Sequence, residues 1–172
     1  MDPTTILIDN LRDALGQVNQ FLGLGLVAAI SAFVLDRAPA PADSDVESTA
    51  VPGFPVKMPR DAAQSVLLGV NFVAGLMAYI AADGALTILS QLSAPIQDAA
   101  CTQASIVTSA IGYRVVAAVL PFPFVILILL RRWKRLRAAS PEDSRGLITL
   151  LVFLMVPYLA LGLVLLRVKC GN

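Results

Sequence analysis

Two ionisable residues stand inside long apolar runs, and they are the first candidates for chemistry. Asp83 falls in the run 66–92 and Arg114 in the run 106–130. A charged side chain inside a membrane costs at least about 2.5–3.5 kcal/mol unless it is paired or hydrated. Counting about 1.5 Å per residue from the outer helix ends places both residues about 12–14 Å deep. We therefore predict an ion pair between Asp83 and Arg114.

Other polar side chains lie close to this pair along the chain. Tyr79 is one helical turn from Asp83 and Tyr113 adjoins Arg114, so these two tyrosines are candidate hydrogen-bond partners of the pair. Asn71 lies further along the same run as Tyr79. Two functions fit these residues. The pair either fixes the register of two helices, or it forms a proton or cation site in which Arg114 gates Asp83. A third span that begins near Gly112 would instead leave Arg114 snorkelled at the interface, without the pair. Asn71 either packs between helices or lines a pore formed by an oligomer.

Residues that usually perform catalysis or bind metals are scarce. The chain has no histidine and only two cysteines, and it contains no H-E-x-x-H, G-x-S-x-G, C-x-x-C or P-loop motif. Without histidine, a serine nucleophile lacks its usual base, and haem or zinc lacks its usual ligand. The formal charge of +1 gives no field that attracts nucleic acid. We expect no enzymatic activity, no metal, no cofactor and no nucleic-acid partner.

The elements that hold these residues are predicted to be transmembrane helices. Of the 172 residues, 57% are hydrophobic and 15% charged, whereas soluble domains average about 45–50% and 25%. About 20 apolar residues cross a bilayer as a helix. This predicts a single all-α domain with four spans, at 14–35, 66–92, 106–130 and 147–168. Before the first span, apolar residues at three- and four-residue spacing predict a short amphipathic helix, either separate or continuous with that span.

Small residues recur every four positions on the first two spans. Ala28 and Ala32 lie on the first, and Ala74, Ala78 and Ala82 lie on the second. This spacing places small side chains along one helix face and lets two backbones approach closely. We therefore expect the first two spans to pack tightly.

Basic residues predict the orientation. The loops 36–64 and 131–146 hold nine of the lysines and arginines, and the opposite side holds three. By the positive-inside rule these two loops are cytoplasmic and both termini lie outside. One basic segment dominates the count, and it anchors the topology or binds anionic lipid headgroups or an acidic partner. Its residues are Arg131, Arg132, Trp133, Lys134, Arg135 and Arg137.

The two cysteines fall on the same predicted outer face. Cys101 lies between the second and third spans, and Cys170 follows the fourth. An oxidising compartment would permit a disulfide between them. The richness in alanine, leucine, valine and arginine, with little lysine, indicates a bacterial protein of the cytoplasmic (inner) membrane.

Three functions fit this pattern. We expect a non-enzymatic component of a membrane complex, an accessory or structural subunit or an effector, that associates with itself or with another membrane protein. An oligomeric channel or transporter for ions or small solutes is the alternative, and it would use Asn71, Asp83 and Arg114. A membrane enzyme without a recognisable motif is the third.

Overall fold

The computed structural model describes residues 3–37, 48–50, 57–92, 118–139 and 143–167. Helices make up nearly all of this part of the chain, which confirms the predicted all-α class. The helices are α1 (Pro3–Arg37), α2 (Arg60–Gln91), α3 (Pro121–Ala139) and α4 (Asp143–Arg167).

Helix α1 contains both the amphipathic stretch and the first predicted span. The amphipathic stretch and the first predicted span form one continuous helix of 35 residues. Proline at its first position suits a helix start, because the first N–H groups of a helix have no partner inside it. Leu11 and Leu15 are buried, so the amphipathic face packs inside the protein. Of the two alternatives for the amphipathic stretch, the structure shows the one in which it is continuous with the first span.

The predicted loop 36–64 contains regular structure at its end. The strands β1 (Ser48–Ala50) and β2 (Lys57–Pro59) pair antiparallel. Helix α2 then begins at Arg60, ahead of the predicted start at Val66. Asp61 lies in its first turn, where a negative charge interacts favourably with the helix dipole.

The predicted loop 131–146 is also shorter than expected. Helix α3 continues past the predicted span end at Leu130 to Ala139, and α4 begins at Asp143. Pro121 and Pro123 lie in the first turn of α3, where proline removes no helical hydrogen bond.

Small residues form the contact between α1 and α2. Ala28, Ala32, Ala74, Ala78 and Ala82 are all buried, which confirms the predicted tight packing of these two helices. Larger side chains from α3 and α4 complete the core around them. These include Val125, Ile128, Leu154, Tyr158 and Leu161.

The outer surface carries many large apolar side chains. Val27, Val73, Val119, Val152 and Leu163 are each more than half exposed. Among the described helices, 5–37 and 60–91 are long and apolar enough to cross a membrane, and 149–165 is a shorter apolar helix. These lengths and compositions are compatible with a membrane location.

Candidate functional site

A buried polar contact joins α1, α2 and α4 near the middle of the helices. The Asn71 side-chain amide donates to the Gly25 carbonyl at 2.8 Å and to the Tyr158 hydroxyl at 2.9 Å. The Tyr158 hydroxyl in turn donates to the Asn71 main-chain carbonyl at 2.8 Å. Asn71 is 0% exposed and Tyr158 is 1% exposed. We call Gly25, Asn71, Gly75 and Tyr158 the central polar contact.

Two glycines make room for the tyrosine. A Cβ atom at Gly25 would lie 2.3 Å from the Tyr158 hydroxyl oxygen, and one at Gly75 would lie 2.6 Å from ring atom Cε2. Real Cβ atoms do not approach other atoms this closely, so both positions need glycine for the ring to fit. Helices α1 and α2 thus form a slot that receives Tyr158 of α4.

The central polar contact is suited to holding helices together. Both amide hydrogens of Asn71 are used inside the protein, while its carbonyl oxygen Oδ1 has no donor in the described part of the chain. Hydrogen bonds between helices are worth about 0.6 kcal/mol on average in membrane proteins, with a maximum of about 1.7. Since Asn71 is fully buried, it does not line the outer surface of the bundle.

The same contacts fix the relative heights of α1 and α2. Gly25 lies level with Asn71, Ala32 with Gln64, and Leu35 with Arg60. Asp13 lies twelve residues before Gly25 on α1, and Asp83 lies twelve residues after Asn71 on α2.

Asp83 therefore lies level with Asp13, and both residues are exposed. The exposed apolar residues of α2 run from Val66 to Ile80 and stop before Asp83. Asp83 thus lies just past the exposed large apolar residues of α2 and eight residues before the helix end at Gln91, and its depth in a membrane stays a prediction. Its predicted partner Arg114 lies outside the described residues, and the ion pair stays a prediction.

A second polar group lies at the opposite end of the bundle, where α1, α2 and α3 meet. We call its members the charged end cluster. They are Asp36, Arg60, Asp61, Gln64, Arg131 and Arg132.

Arginines make most contacts in this cluster. Arg60 donates from Nε to the Leu35 carbonyl at 2.8 Å, and its Nη2 donates to the same oxygen. These bonds satisfy a carbonyl in the last turn of α1, where the final helical carbonyls have no partner within the helix. Arg131 pairs with Asp36 at 3.2 Å, and the Asp36 side chain is only 3% exposed. The cluster therefore ties the end of α1 to both α2 and α3.

Arg132 and Gln64 form the inner part of the cluster. Arg132 donates from Nε to Gln64 Oε1 at 3.0 Å, with a second bond from Nη2, and it lies 3.6 Å from Asp61. Gln64 is 4% exposed and donates to the Ala32 carbonyl at 3.4 Å. Burial of Gln64 lowers the local dielectric and strengthens its hydrogen bonds relative to surface contacts. The Asp61 side chain is 92% exposed, so its ion pair with Arg132 is a surface contact that solvent weakens.

The basic segment predicted to meet lipid headgroups is thus divided. Arg131 and Arg132 contact other helices, Trp133 is half-buried, and Lys134 is exposed. Arg135 and Arg137 follow on α3, and their side chains lie outside the described part. Contact of this segment with anionic lipid stays a prediction.

The other sequence candidates have mixed outcomes. Tyr79 is partly buried and packs against the core near Val18 and Leu161. Tyr113, Cys101 and Cys170 lie outside the described residues, so the predicted hydrogen bond and disulfide stay predictions. No group of three acidic, cysteine or histidine residues within the described ranges could hold a metal ion.

Sequence reasoning missed Tyr158, Gly25, Asp36 and Gln64. Tyr158 carried a usable signal, because a hydroxyl inside an apolar run needs a partner when it is buried. The identity of that partner depends on the heights of α2 and α4, which a single sequence does not give.

The chain matches no family model, no curated protein and no solved structure.

Proposed function

We propose that this protein is a non-enzymatic component of a membrane complex, and that its four helices form a closed scaffold in the bilayer. The observation that carries the proposal is the central polar contact. Asn71 is a fully buried polar side chain near the middle of the bundle, and its amide hydrogens bind Gly25 and Tyr158. A residue used in this way holds helices together and is not available to a solute.

The positions of charged residues support placing the bundle across a membrane. Asp13 and Asp36 are 23 residues apart on α1, which corresponds to about 35 Å of helix. Asp61 and Asp83 are 22 residues apart on α2, which corresponds to about 33 Å. A bilayer has a hydrocarbon thickness of about 30 Å. Between these limits α2 exposes mainly apolar side chains, and α1 does so from Leu24 to Val34, which suits contact with lipid. The exposed residues of α1 from 16 to 23 are instead glycine, glutamine and asparagine.

The proposed orientation follows from the basic residues. The charged end cluster and the exposed Lys134 would face the cytoplasm, with anionic headgroups around them, and both termini would lie outside. For a bacterial protein this membrane is the inner membrane. The partner in the complex is a second copy of the chain or another membrane protein.

A flux assay tests the proposal against the channel alternative. Purified full-length protein is reconstituted into vesicles, and proton and potassium flux are recorded with dyes. A scaffold gives no flux above that of empty vesicles, and Asn71→Ala lowers only the stability of the protein. A wild-type flux that Asn71→Ala or Asp83→Asn alters would refute the scaffold and favour an oligomeric channel.

A further inference from the structure

The exposed faces of α1 and α2 change from apolar to polar at different heights. Near the outer end, where α1 begins, Gln20 lies five residues before Gly25 and Leu76 lies five residues after Asn71. The hydrogen bond between Asn71 and Gly25 therefore places Gln20 level with Leu76. Gln20 is an exposed amide, whereas Leu76 is apolar and 39% exposed. At this height α1 is already polar while α2 is still apolar.

Helix α4 agrees with α2 and not with α1. It runs in the same direction as α2. Leu163 lies five residues after Tyr158, which contacts Asn71, so it is also level with Gln20. Leu163 is apolar and 64% exposed. The exposed apolar surface of α2 and α4 therefore reaches further outward than that of α1.

At the other end of the bundle, beside the charged end cluster, the difference is reversed. Val34 on α1 is 58% exposed, and the same register places it level with Ala62 on α2. Ala62 adjoins Asp61, whose side chain is 92% exposed, and the exposed large apolar residues of α2 begin only at Val66. Both limits of the exposed apolar stretch on α1 are thus displaced towards the charged end cluster.

The displacement has the size expected of a tilted bundle. The stretch 24–34 on α1 is centred on residue 29, which is level with residue 67 on α2, whereas the stretch 66–80 on α2 is centred on residue 73. The two centres differ by six residues, about 9 Å along the helices. Two packed helices are about 20 Å across, side chains included. A flat membrane meets both faces when the pair is tilted by about 25°, and membrane helices are tilted by about 20° on average, up to about 40°.

The residues beyond the outer limit suit contact with water. The exposed side chains there are mainly polar, and they include Asp9, Arg12, Asp13, Asp83 and Thr87. Between the two helices, Leu11 and Leu15 pack with Ala85 in a small apolar cluster of their own. This cluster holds α1 and α2 together without help from lipid.

From these observations we infer that the bundle lies tilted in the bilayer, so that the outward face of α1 is in water as far as residue 23 and in lipid from Leu24. This rests on the proposed membrane location. A partner that covered Gln20 would account for the polar face of α1 at the outer end, but not for its apolar Val34 beside the exposed charge of Asp61. One rotation accounts for both ends. The start of α1 and the end of α2 then project together from the outer membrane surface.

Spin labels at single cysteines test the tilt in the full-length protein, in phosphatidylcholine vesicles. The native cysteines are first replaced by serine. Paramagnetic resonance then measures how often each label collides with oxygen, which dissolves in lipid, and with a nickel chelate, which stays in water. A label at Gln20→Cys should collide with nickel several times more often than one at Leu76→Cys, although the two are level. At the other end the order should reverse, with Ala62→Cys in water and Val34→Cys in lipid.

Val27→Cys and Gly69→Cys are the matched controls. Both residues are exposed, and they are level with each other near the middle of the bundle, so both labels should collide mainly with oxygen. Equal nickel collision at Gln20→Cys and Leu76→Cys, with the controls in lipid, would refute the tilt and leave the membrane location standing. A label at Gln20→Cys that neither reagent reaches would also refute it, and would assign this face to a partner.

Frequent nickel collision at both controls would instead refute the membrane location itself. Unfolding midpoints equal to that of the unlabelled protein show that each variant keeps the fold. All six positions are at least partly exposed, where substitutions usually change stability little.

Discussion

Adding one methyl group at Gly25 should destabilise the protein through a single atom. A Cβ atom there would lie 2.3 Å from the Tyr158 hydroxyl oxygen, and the next nearest atoms are 3.5 Å away. The hydroxyl cannot retreat without weakening its hydrogen bonds to Asn71. Overpacking of this kind costs about 1–3 kcal/mol, so we expect Gly25→Ala to lower the free energy of unfolding by that amount.

Removing the hydroxyl should cancel that cost. Tyr158→Phe alone loses two hydrogen bonds, together about 1–2 kcal/mol. In the double variant the clashing oxygen is gone and every remaining contact of the new methyl group is of ordinary length. Gly25→Ala should therefore cost close to nothing in the Tyr158→Phe background, a coupling of about 1–3 kcal/mol.

Gly75→Ala is the matched control. A Cβ atom at Gly75 would lie 2.6 Å from Cε2 and 2.8 Å from Cζ of Tyr158, and phenylalanine keeps both carbons. The loss of unfolding free energy caused by Gly75→Ala should therefore remain in the Tyr158→Phe background. The assay is reversible unfolding in mixed micelles as the fraction of denaturing detergent is raised, followed by circular dichroism. Additive effects of Gly25→Ala and Tyr158→Phe, or rescue of Gly75→Ala, would refute the slot described for the tyrosine.

Two further predictions concern the ends of the bundle. Arg132→Met removes the donors to the buried Gln64 oxygen and should cost about 1–3 kcal/mol, whereas Lys134→Met, at an exposed position, should change the unfolding free energy by less than about 0.5 kcal/mol. Equal effects in the same micelle titration would mean that Arg132 acts only at the surface. If Cys101 and Cys170 are bonded, native protein should migrate faster without reductant, and Cys101→Ser should abolish the shift. Identical mobilities would exclude the bond.

Patterns that depend on one helix at a time were predictable from the sequence. The apolar runs predicted the helical class, and the four-residue spacing of alanines predicted the close packing of α1 and α2. The residue at which α3 ends was harder to predict. Its basic residues were assigned to a loop, yet arginine and lysine have high helix propensity and α3 continues through them to Ala139.

The apolar run around Asp83 does not by itself show which of its residues face lipid. Residues after it, such as Ala85, are apolar because they pack against α1 near Leu11 and Leu15. Hydropathy does not distinguish a side chain that faces lipid from one that faces another helix. The relative heights of α1 and α2 supply that distinction, and they follow from contacts such as that of Gly25 with Asn71.

The glycine slot also has a consequence for the order of assembly. Gly25 on α1 and Gly75 on α2 form its two sides, so the slot for Tyr158 exists only after these helices have paired. Both helices precede α4 in the chain, so the residues that form the slot leave the ribosome before Tyr158 does. Docking of Tyr158 therefore depends on the pairing of α1 with α2, and a change that loosens this pair would also loosen α4.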